Sequence, residues 1–358
     1  MSASETAQGA PEPRANPDLL GHDAAERGLR RLADSGRMPH AILIGGPRGI
    51  GKATLAFRLA RFVFAQADDA SGVADGAGLA VGPESGVFRR VASAGHADLL
   101  TVERAYDPRR KRLRSEIVVD DAREIGAFLH LTPAEGGWRV VIVDGADEMN
   151  RSAANTLLKI LEEPPRRALL LLVAHSPGRL LPTIRSRCRR LPLSALPDAT
   201  VLWLLGRYRP DIAGADAEAI SGLANGSIGA ALDLADAGGL DLYRSVVNLL
   251  ARPSAPELHA FAERLARTEA EDSYRLVQEL IGQILTRLAR GAAGKADPGG
   301  TPGAEAASVE RLGRRAPAAV WARLREEIGE GFGRADGLNL DRKQAVLGAF
   351  FAIERAAG

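Results

Sequence analysis

The feature that most restricts the fold of this chain is a glycine-rich loop between an apolar segment and an amphipathic helical pattern. Within residues 40–54, Gly46, Gly51 and Lys52 have the spacing of the Walker A motif. In such a loop, backbone N–H groups surround a polyphosphate and the lysine contacts its outer oxygens. The motif therefore predicts an α/β fold with a nucleotide site built from Gly46, Gly49, Gly51 and Lys52.

The position after the lysine lacks a side chain that magnesium-dependent catalysis requires. A working site has Ser or Thr there, whose hydroxyl binds Mg²⁺, but this chain has Ala53. Thr54 comes one position later and is predicted to point to another side of the helix. Thr54 nevertheless remains a candidate nucleotide-binding residue. The site to which it belongs is either vestigial or binds nucleotide without hydrolysing it.

A second motif is an apolar run that ends in an acid. Residues 139–144 close with Asp144, as in a Walker B strand, where the aspartate holds the magnesium of the nucleotide. Working hydrolases follow it with Glu, the base that polarises the attacking water; here Gly145 follows. Asp147 and Glu148 lie further along and replace that base only in part. The alternative, that Asp144 is a simple turn or capping acid, stays open.

Composition excludes several classes of function. The chain has 358 residues, of which 46% are hydrophobic and 26% charged, as expected for a soluble protein of two or three domains. The net charge of +2 is too small to attract nucleic acid to the protein as a whole, so any contact with nucleic acid would have to be made by a local basic patch. The single cysteine, Cys188, rules out an internal disulfide or a four-cysteine zinc site and suits the cytoplasm. No apolar run or leader pattern predicts a membrane partner.

Periodicity divides the chain into regions. Residues 1–17 are predicted to be a disordered arm. An α/β domain is predicted at 18–196, because five apolar runs separated by helical patterns are typical of a parallel sheet; they are 41–44, 99–102, 117–119, 140–143 and 169–173. Segment 67–85 is predicted to be a flexible surface loop.

The remainder of the chain has helical patterns only. Three short helices are predicted within a small domain at 197–238, and a larger helical bundle at 239–358. The bundle contains a buried stripe at 276–288 and a low-complexity insertion at 291–307 that is predicted to be flexible. Asn339 is predicted to cap a last helix, whose buried side chains are Val346, Leu347, Phe350 and Ile353.

Two further motifs carry a resemblance to a known family. Residues 153–165 (AANTLLKILEEPP) and 182–188 (PTIRSRC) closely resemble the clamp-loader branch of the AAA+ ATPases. The resemblance implies an AAA+ P-loop domain with a parallel sheet, a helical lid at 197–238 and a collar at 239–358. It also implies that Arg187 is an arginine finger, offered to the ATP of a neighbouring subunit. A surface basic cluster with Arg185, Arg189 and Arg190 is the alternative.

The same resemblance identifies a third catalytic replacement. Where the family has its sensor-2 arginine, this chain has Gly229. Together with Ala53 and Gly145, this predicts a subunit that hydrolyses no ATP, although Lys52 still permits binding. We therefore expect that no cofactor is required, that any ATP or ADP is bound without hydrolysis, and that zinc is absent.

The resemblance also implies partners. They are the other clamp-loader subunits (a gamma/tau-type ATPase and a delta-type subunit) and, through the complex, a sliding clamp and primed DNA of a replicative polymerase holoenzyme. Two alternatives stay open. In the first, the chain is an active AAA+ ATPase, either a motor-type loader subunit or a distant enzyme with Glu148 as base. In the second, it is a DNA-binding adaptor that uses the basic loop Arg109–Arg114.

Overall fold

A computed structural model describes residues 9–67, 78–107, 112–135, 137–295 and 306–358. Contacts divide the chain into two compact units, residues 1–197 and 198–358. The boundary that the sequence predicts between the α/β domain and the small helical domain, at 196 and 197, lies one residue away from this division. The further division predicted between 238 and 239 stays a prediction.

The first unit is built on a parallel sheet. Its strands are β1 Ala41–Gly45, β2 Leu99–Val102, β3 Tyr106–Asp107, β4 Arg112–Leu113, β5 Arg139–Asp144, β6 Ala168–Ala174 and β7 Arg189–Pro192. Five of them form one sheet in the order β2-β5-β6-β1-β7, and each neighbouring pair is parallel. The parallel sheet predicted from the apolar runs is therefore confirmed.

Helices cover both faces of this sheet. They are α1 Asp23–Asp34, α2 Lys52–Ala67, α3 Gly86–Ala92, α4 Val119–His130, α5 Arg151–Glu162 and α6 Pro182–Arg187. Ile42, Ile44 and their neighbours pack against α1, α2 and α3. Leu43 and Val141, which alternate with them, pack against α4, α5 and α6. Burial on both faces explains why the central strands are apolar at successive positions.

Two strand predictions need correction. Residues 117–119 form no strand: Ile117 makes a single bridge to Met149, and Val119 already begins α4. The carboxylate of Asp121 accepts a hydrogen bond from the N–H of Val118 at 2.8 Å, which favours a helix start over continued pairing. In contrast, β7 was not predicted. It is an edge strand with Arg189 and Arg190 exposed, so no apolar pattern marks it.

The described part of the N-terminal arm is attached to α2. Residues 9–17 contain no helix or strand, but Arg61 donates to the carbonyls of Arg14 and Asn16, each at 2.8 Å, and Arg58 donates to that of Pro17. The prediction of a disordered arm is wrong for this part, because buried arginines of α2 use the arm's carbonyls as acceptors. Residues 1–8 lie outside the described ranges.

Segments predicted to be loops are partly ordered. In 67–85, residues 68–77 lie outside the described ranges, whereas Leu79 and Val81 are buried in the core beside α2, contrary to a surface loop. Of the basic segment Arg109–Arg114, Arg112 lies in β4, which pairs antiparallel with β3 through Tyr106 and Leu113. Residues 108–111 lie outside the described ranges.

The second unit is helical throughout its described ranges. Its helices are α7 Asp198–Tyr208, α8 Gly214–Leu223, α9 Ile228–Asp236, α10 Gly239–Ala251, α11 Ala255–Leu265, α12 Glu271–Ala292, α13 Ala306–Gly313, α14 Ala318–Leu338 and α15 Arg342–Ala357. The three short helices at 197–236 and the buried stripe of α12 are confirmed. Of the insertion 291–307, residues 296–305 lie outside the described ranges, and both flanks join helices.

The cap of the last helix is Asp341, not Asn339. Asn339 has φ +50° and ends α14, a left-handed position that Asn tolerates. Asp341 accepts hydrogen bonds from the N–H groups of Lys343 at 2.8 Å and Gln344 at 3.4 Å. The buried face predicted for this helix is confirmed. In the described ranges, no helix combines the length and apolar character needed to cross a membrane.

Candidate functional site

The glycine-rich loop leaves the carboxyl end of β1 and leads directly into α2. Gly46 has φ +154°, and a Cβ there would lie 2.4 Å from the carbonyl oxygen of Leu193. Gly49 and Gly51 have φ +74° and +98°, conformations that favour glycine. The predicted strand, loop and helix are confirmed, and the backbone of the loop requires glycine in order to form.

Lys52 turns back onto its own loop. Its side chain is buried, with the residue 3% exposed, and Nζ donates a hydrogen bond to the carbonyl of Pro47. Burial lowers the pKa of Lys52 to about 8, and the carboxylates of Asp144 and Asp147 oppose that shift. The ammonium therefore lies near both acids and is held by the loop itself.

The neighbouring positions on α2 show where a magnesium-binding hydroxyl is lacking. Ala53 is partly exposed beside Lys52, whereas Thr54 is buried. Successive residues of a helix are turned by about 100°, so Thr54 does not replace the hydroxyl missing at 53.

Gly229, at the predicted sensor position, lies in the first turn of α9, where Ser227 caps the helix through the N–H of Ala230 at 3.0 Å.

The carboxyl end of β5 brings further acids to the loop. Burial raises the pKa of Asp144, assisted by the nearby carboxylates of Glu103 and Glu148 and opposed by Lys52. Gly145 has φ +81°, and a Cβ there would lie 2.7 Å from Oε2 of Glu148. Glu148 thus fills the space that a side chain at 145 would need. Its carboxylate is paired with Nε of Arg104 at 2.8 Å.

Asp147 has a structural role. Its two carboxylate oxygens accept hydrogen bonds from the N–H groups of His175 at 2.9 Å and Ser176 at 2.7 Å, at the end of β6. Burial, with Lys52 as a further cause, lowers the pKa of His175, and its Nδ1 is buried without a hydrogen-bond partner in the described ranges. Asp147 is consequently engaged by the backbone and is a poor replacement for a catalytic base.

Arg104 and His175 were not found from the sequence. Arg104 follows β2 and His175 follows β6, so these residues approach the loop only because parallel strands bring their carboxyl ends to one edge. Neither residue lies in a motif of fixed spacing. No signal in a single sequence distinguishes them from other residues that follow a strand.

Arg187 ends α6 and is partly exposed. Its Nη2 lies 2.9 Å from Oε1 of Glu162, the last residue of α5, and the side chains of the two residues are 37% and 45% exposed. Nη1 donates to the carbonyl of Thr183 at 3.1 Å. The next residue, Cys188, is buried, and burial raises the pKa of its thiol to about 11. The predicted burial of Cys188 is confirmed.

The structure does not bring Arg187 to the loop of its own chain. β7 begins at Arg189, which lies beside Ile42 near the amino end of β1, whereas the loop leaves the carboxyl end of that strand at Gly46. About four extended residues, roughly 13 Å, separate these levels of the sheet. The arginine and the loop therefore belong to opposite edges of the same domain.

Comparison with known proteins identifies the family of this domain. Residues 21–197 match the family described as DNA polymerase III, delta subunit. The delta prime subunit of Pseudomonas aeruginosa is 34% identical over 197 residues, which cover 55% of this chain and 56% of that protein. The delta prime subunit of Yersinia pestis is 32% identical over 191 residues. Residues 21–197 are those of a delta prime-like clamp-loader subunit. The parallel sheet and the loop form an α/β P-loop domain, followed by a helical region.

The delta prime-like domain is also similar to other subunits of the same polymerase. The gamma/tau subunit of Mycobacterium tuberculosis is 34% identical over 191 residues, which cover 53% of this chain and 30% of that protein. A solved structure of a gamma subunit-related protein from Thermotoga maritima matches 92% of this chain with 18% identity and a TM-score of 0.44. The chain spans about half the length of the delta prime relatives it matches.

Proposed function

We propose that this chain is a non-hydrolysing clamp-loader subunit of a DNA polymerase III holoenzyme, which supplies Arg187 to the ATP of a neighbouring subunit. Its direct partners are a gamma/tau-type ATPase and a delta-type subunit. Through the complex, it acts on a sliding clamp and primed DNA in the cytoplasm. The family of residues 21–197 supports the assignment to the loader.

The position of Arg187 carries this proposal. A guanidinium that is partly exposed, and that lies at the end of the sheet opposite to its own loop, supports a role toward a partner's nucleotide rather than its own. A planar guanidinium binds two phosphate oxygens at once, and such a residue accelerates related NTPases by about 10³–10⁵. The motif Ser186-Arg187-Cys188 adds the resemblance noted in the sequence.

The loop supports the absence of turnover. Positions 53, 145 and 229 lack the hydroxyl, the base and the arginine that hydrolysis requires. The glycine conformations and Lys52 still fit a phosphate group, so ATP or ADP is bound weakly, without hydrolysis. Zinc is not expected to take part, because a structural site needs several cysteine or histidine ligands in close order and Cys188 is the single cysteine.

The test uses the loader reconstituted with its other subunits from the same source. Arg187→Ala should leave the chain folded and assembled, because an exposed guanidinium contributes little to stability. ATPase activity and clamp loading should nevertheless fall at least tenfold. Lys52→Ala is the control and should change both rates less than twofold. A loader that tolerates Arg187→Ala but fails with Lys52→Ala would make this chain the motor.

One observation favours an active ATPase as a second candidate. The carboxylate of Glu148 lies over Gly145, near the place where the missing glutamate would begin. Its pairing with Arg104 at 2.8 Å and the absence of a hydroxyl at 53 weigh against a role as base. ATP turnover by the purified chain, abolished by Glu148→Gln, would establish this candidate; no turnover above background is expected.

A further inference from the structure

We propose that Glu162 is a positioning residue for Arg187, which orients the guanidinium for the phosphate of the neighbouring subunit. This inference rests on the proposed function. It concerns a side chain at the carboxyl end of α5 that acts through its ion pair with Arg187.

The guanidinium is held from two elements. Oε1 of Glu162, at the end of α5, lies 2.9 Å from Nη2, and the carbonyl of Thr183, in α6, accepts from Nη1 at 3.1 Å. An arginine side chain has five N–H donors in a fixed plane. The hydrogen bond to Thr183 uses one of them, and the carboxylate of Glu162 lies beside Nη2 as an ion pair. The pairing fixes the plane without occupying the whole group.

Helix stability does not account for a carboxylate at this position. Glu162 is the last residue of α5, where the carbonyls of the final turn and the helix dipole disfavour a negative charge. Glu163 follows it at the helix end, is also exposed, and has no ion-pair partner in the described ranges. The two acids therefore share their helix environment and differ in their contact with Arg187, which makes Glu163 a matched control.

The strength of this ion pair depends on its exposure to water. Both side chains are partly exposed, so water weakens their attraction in the free subunit. A subunit that covers this edge would exclude water and strengthen the pairing, since Coulomb energies rise as the effective dielectric constant falls. The guanidinium would then be oriented most firmly in the assembled ring.

The experiment measures kcat and KM for ATP in the reconstituted loader, with clamp and primed DNA. Glu162→Ala should lower kcat about fivefold, the upper range for an exposed pair, with KM unchanged. Glu162→Gln should keep kcat within twofold of the unaltered loader, because its amide oxygen can take the position of the carboxylate oxygen beside Nη2. Glu163→Ala should also stay within twofold. In the Arg187→Ala background, Glu162→Ala should cause no further loss.

Other results would overturn the inference. A higher kcat with Glu162→Ala would mean that the carboxylate restrains Arg187 instead of positioning it. Losses that add to those of Arg187→Ala would mean that Glu162 acts elsewhere. Equal losses with Glu163→Ala would indicate a general effect of charge at the helix end. If Arg187→Ala alone has no effect, the proposed function itself fails, and that result is distinct from an effect of Arg187 without one of Glu162.

Discussion

Lys52 and Arg187 are cations near opposite ends of the parallel strands β1 and β7, and they are held in different ways. Lys52 is buried and donates to a carbonyl of its own loop, whereas Arg187 is partly exposed and pairs with an equally exposed acid. The buried cation contributes to the internal order of the domain. The exposed one can exchange its partner at low cost. The same P-loop domain thus combines an inward-facing site with an outward-facing residue.

Under the proposed function, this difference would let a nucleotide fold keep its architecture while its catalytic contribution serves a neighbouring subunit. The glycine loop, β1 and α2 are parts of the core, so their loss would affect folding. Positions 53 and 229, which are both partly exposed, are replaceable without that cost. An exposed arginine costs its own chain little and is kept, in this interpretation, for the neighbouring subunit.

The largest expected effect tests the outward-facing half of the comparison. Arg187→Lys keeps the charge but removes the planar group that binds two oxygens, so a loader that contains this variant should have little activity. We expect clamp loading by the reconstituted loader to remain at least tenfold below that of the unaltered complex. Full activity with lysine would show that a point charge suffices at this edge.

Next in size is an effect on stability that tests the inward-facing half. Gly46→Ala would place a Cβ 2.4 Å from a backbone oxygen in a glycine conformation. We expect the free energy of unfolding to fall by about 3 kcal/mol, as measured by denaturant titration. Gly28→Ala, in α1 where no atom lies within 4 Å, is the control and should be neutral or stabilising. If Gly46→Ala were as stable as the unaltered chain, the conformation of the loop would not contribute to the stability of the fold.

Much of this comparison was accessible from sequence, and the reasons are physical. Gly46, Gly51 and Lys52 have a fixed spacing within one strand–loop–helix unit, so local sequence specifies them. The pairs Arg187–Glu162 and Arg104–Glu148 join distant elements and follow from packing of helices and strands. An edge strand such as β7 escapes detection because its exposed arginines remove the apolar pattern.

A smaller effect concerns the pH dependence of stability. Burial lowers the pKa of folded Lys52 to about 8, below its ordinary value of 10.5. Between these values the unfolded chain binds more protons, so this residue lowers stability below pH 8 and its penalty disappears as pH rises. We expect the stability of the unaltered chain relative to Lys52→Met to increase by about 2 kcal/mol from pH 7.5 to pH 10. A difference that stays constant over this range would show that Lys52 is solvated.

The smallest effect is expected from restoring one missing group. Ala53→Ser returns a hydroxyl beside Lys52, but the base at 145 is still absent. We expect no ATP turnover by the purified variant and less than a twofold change in the reconstituted loader.

Restoring the base as well meets an obstacle in the fold. A side chain at 145 would require φ near +81° and would collide with Glu148, whose carboxylate is in turn held by Arg104. Gly145→Glu should therefore lower the midpoint of thermal unfolding before it can restore hydrolysis. If Ala53→Ser alone produced turnover that Lys52→Ala abolishes, the inward-facing site would be a working ATPase short of one hydroxyl, and the contrast with Arg187 would no longer hold.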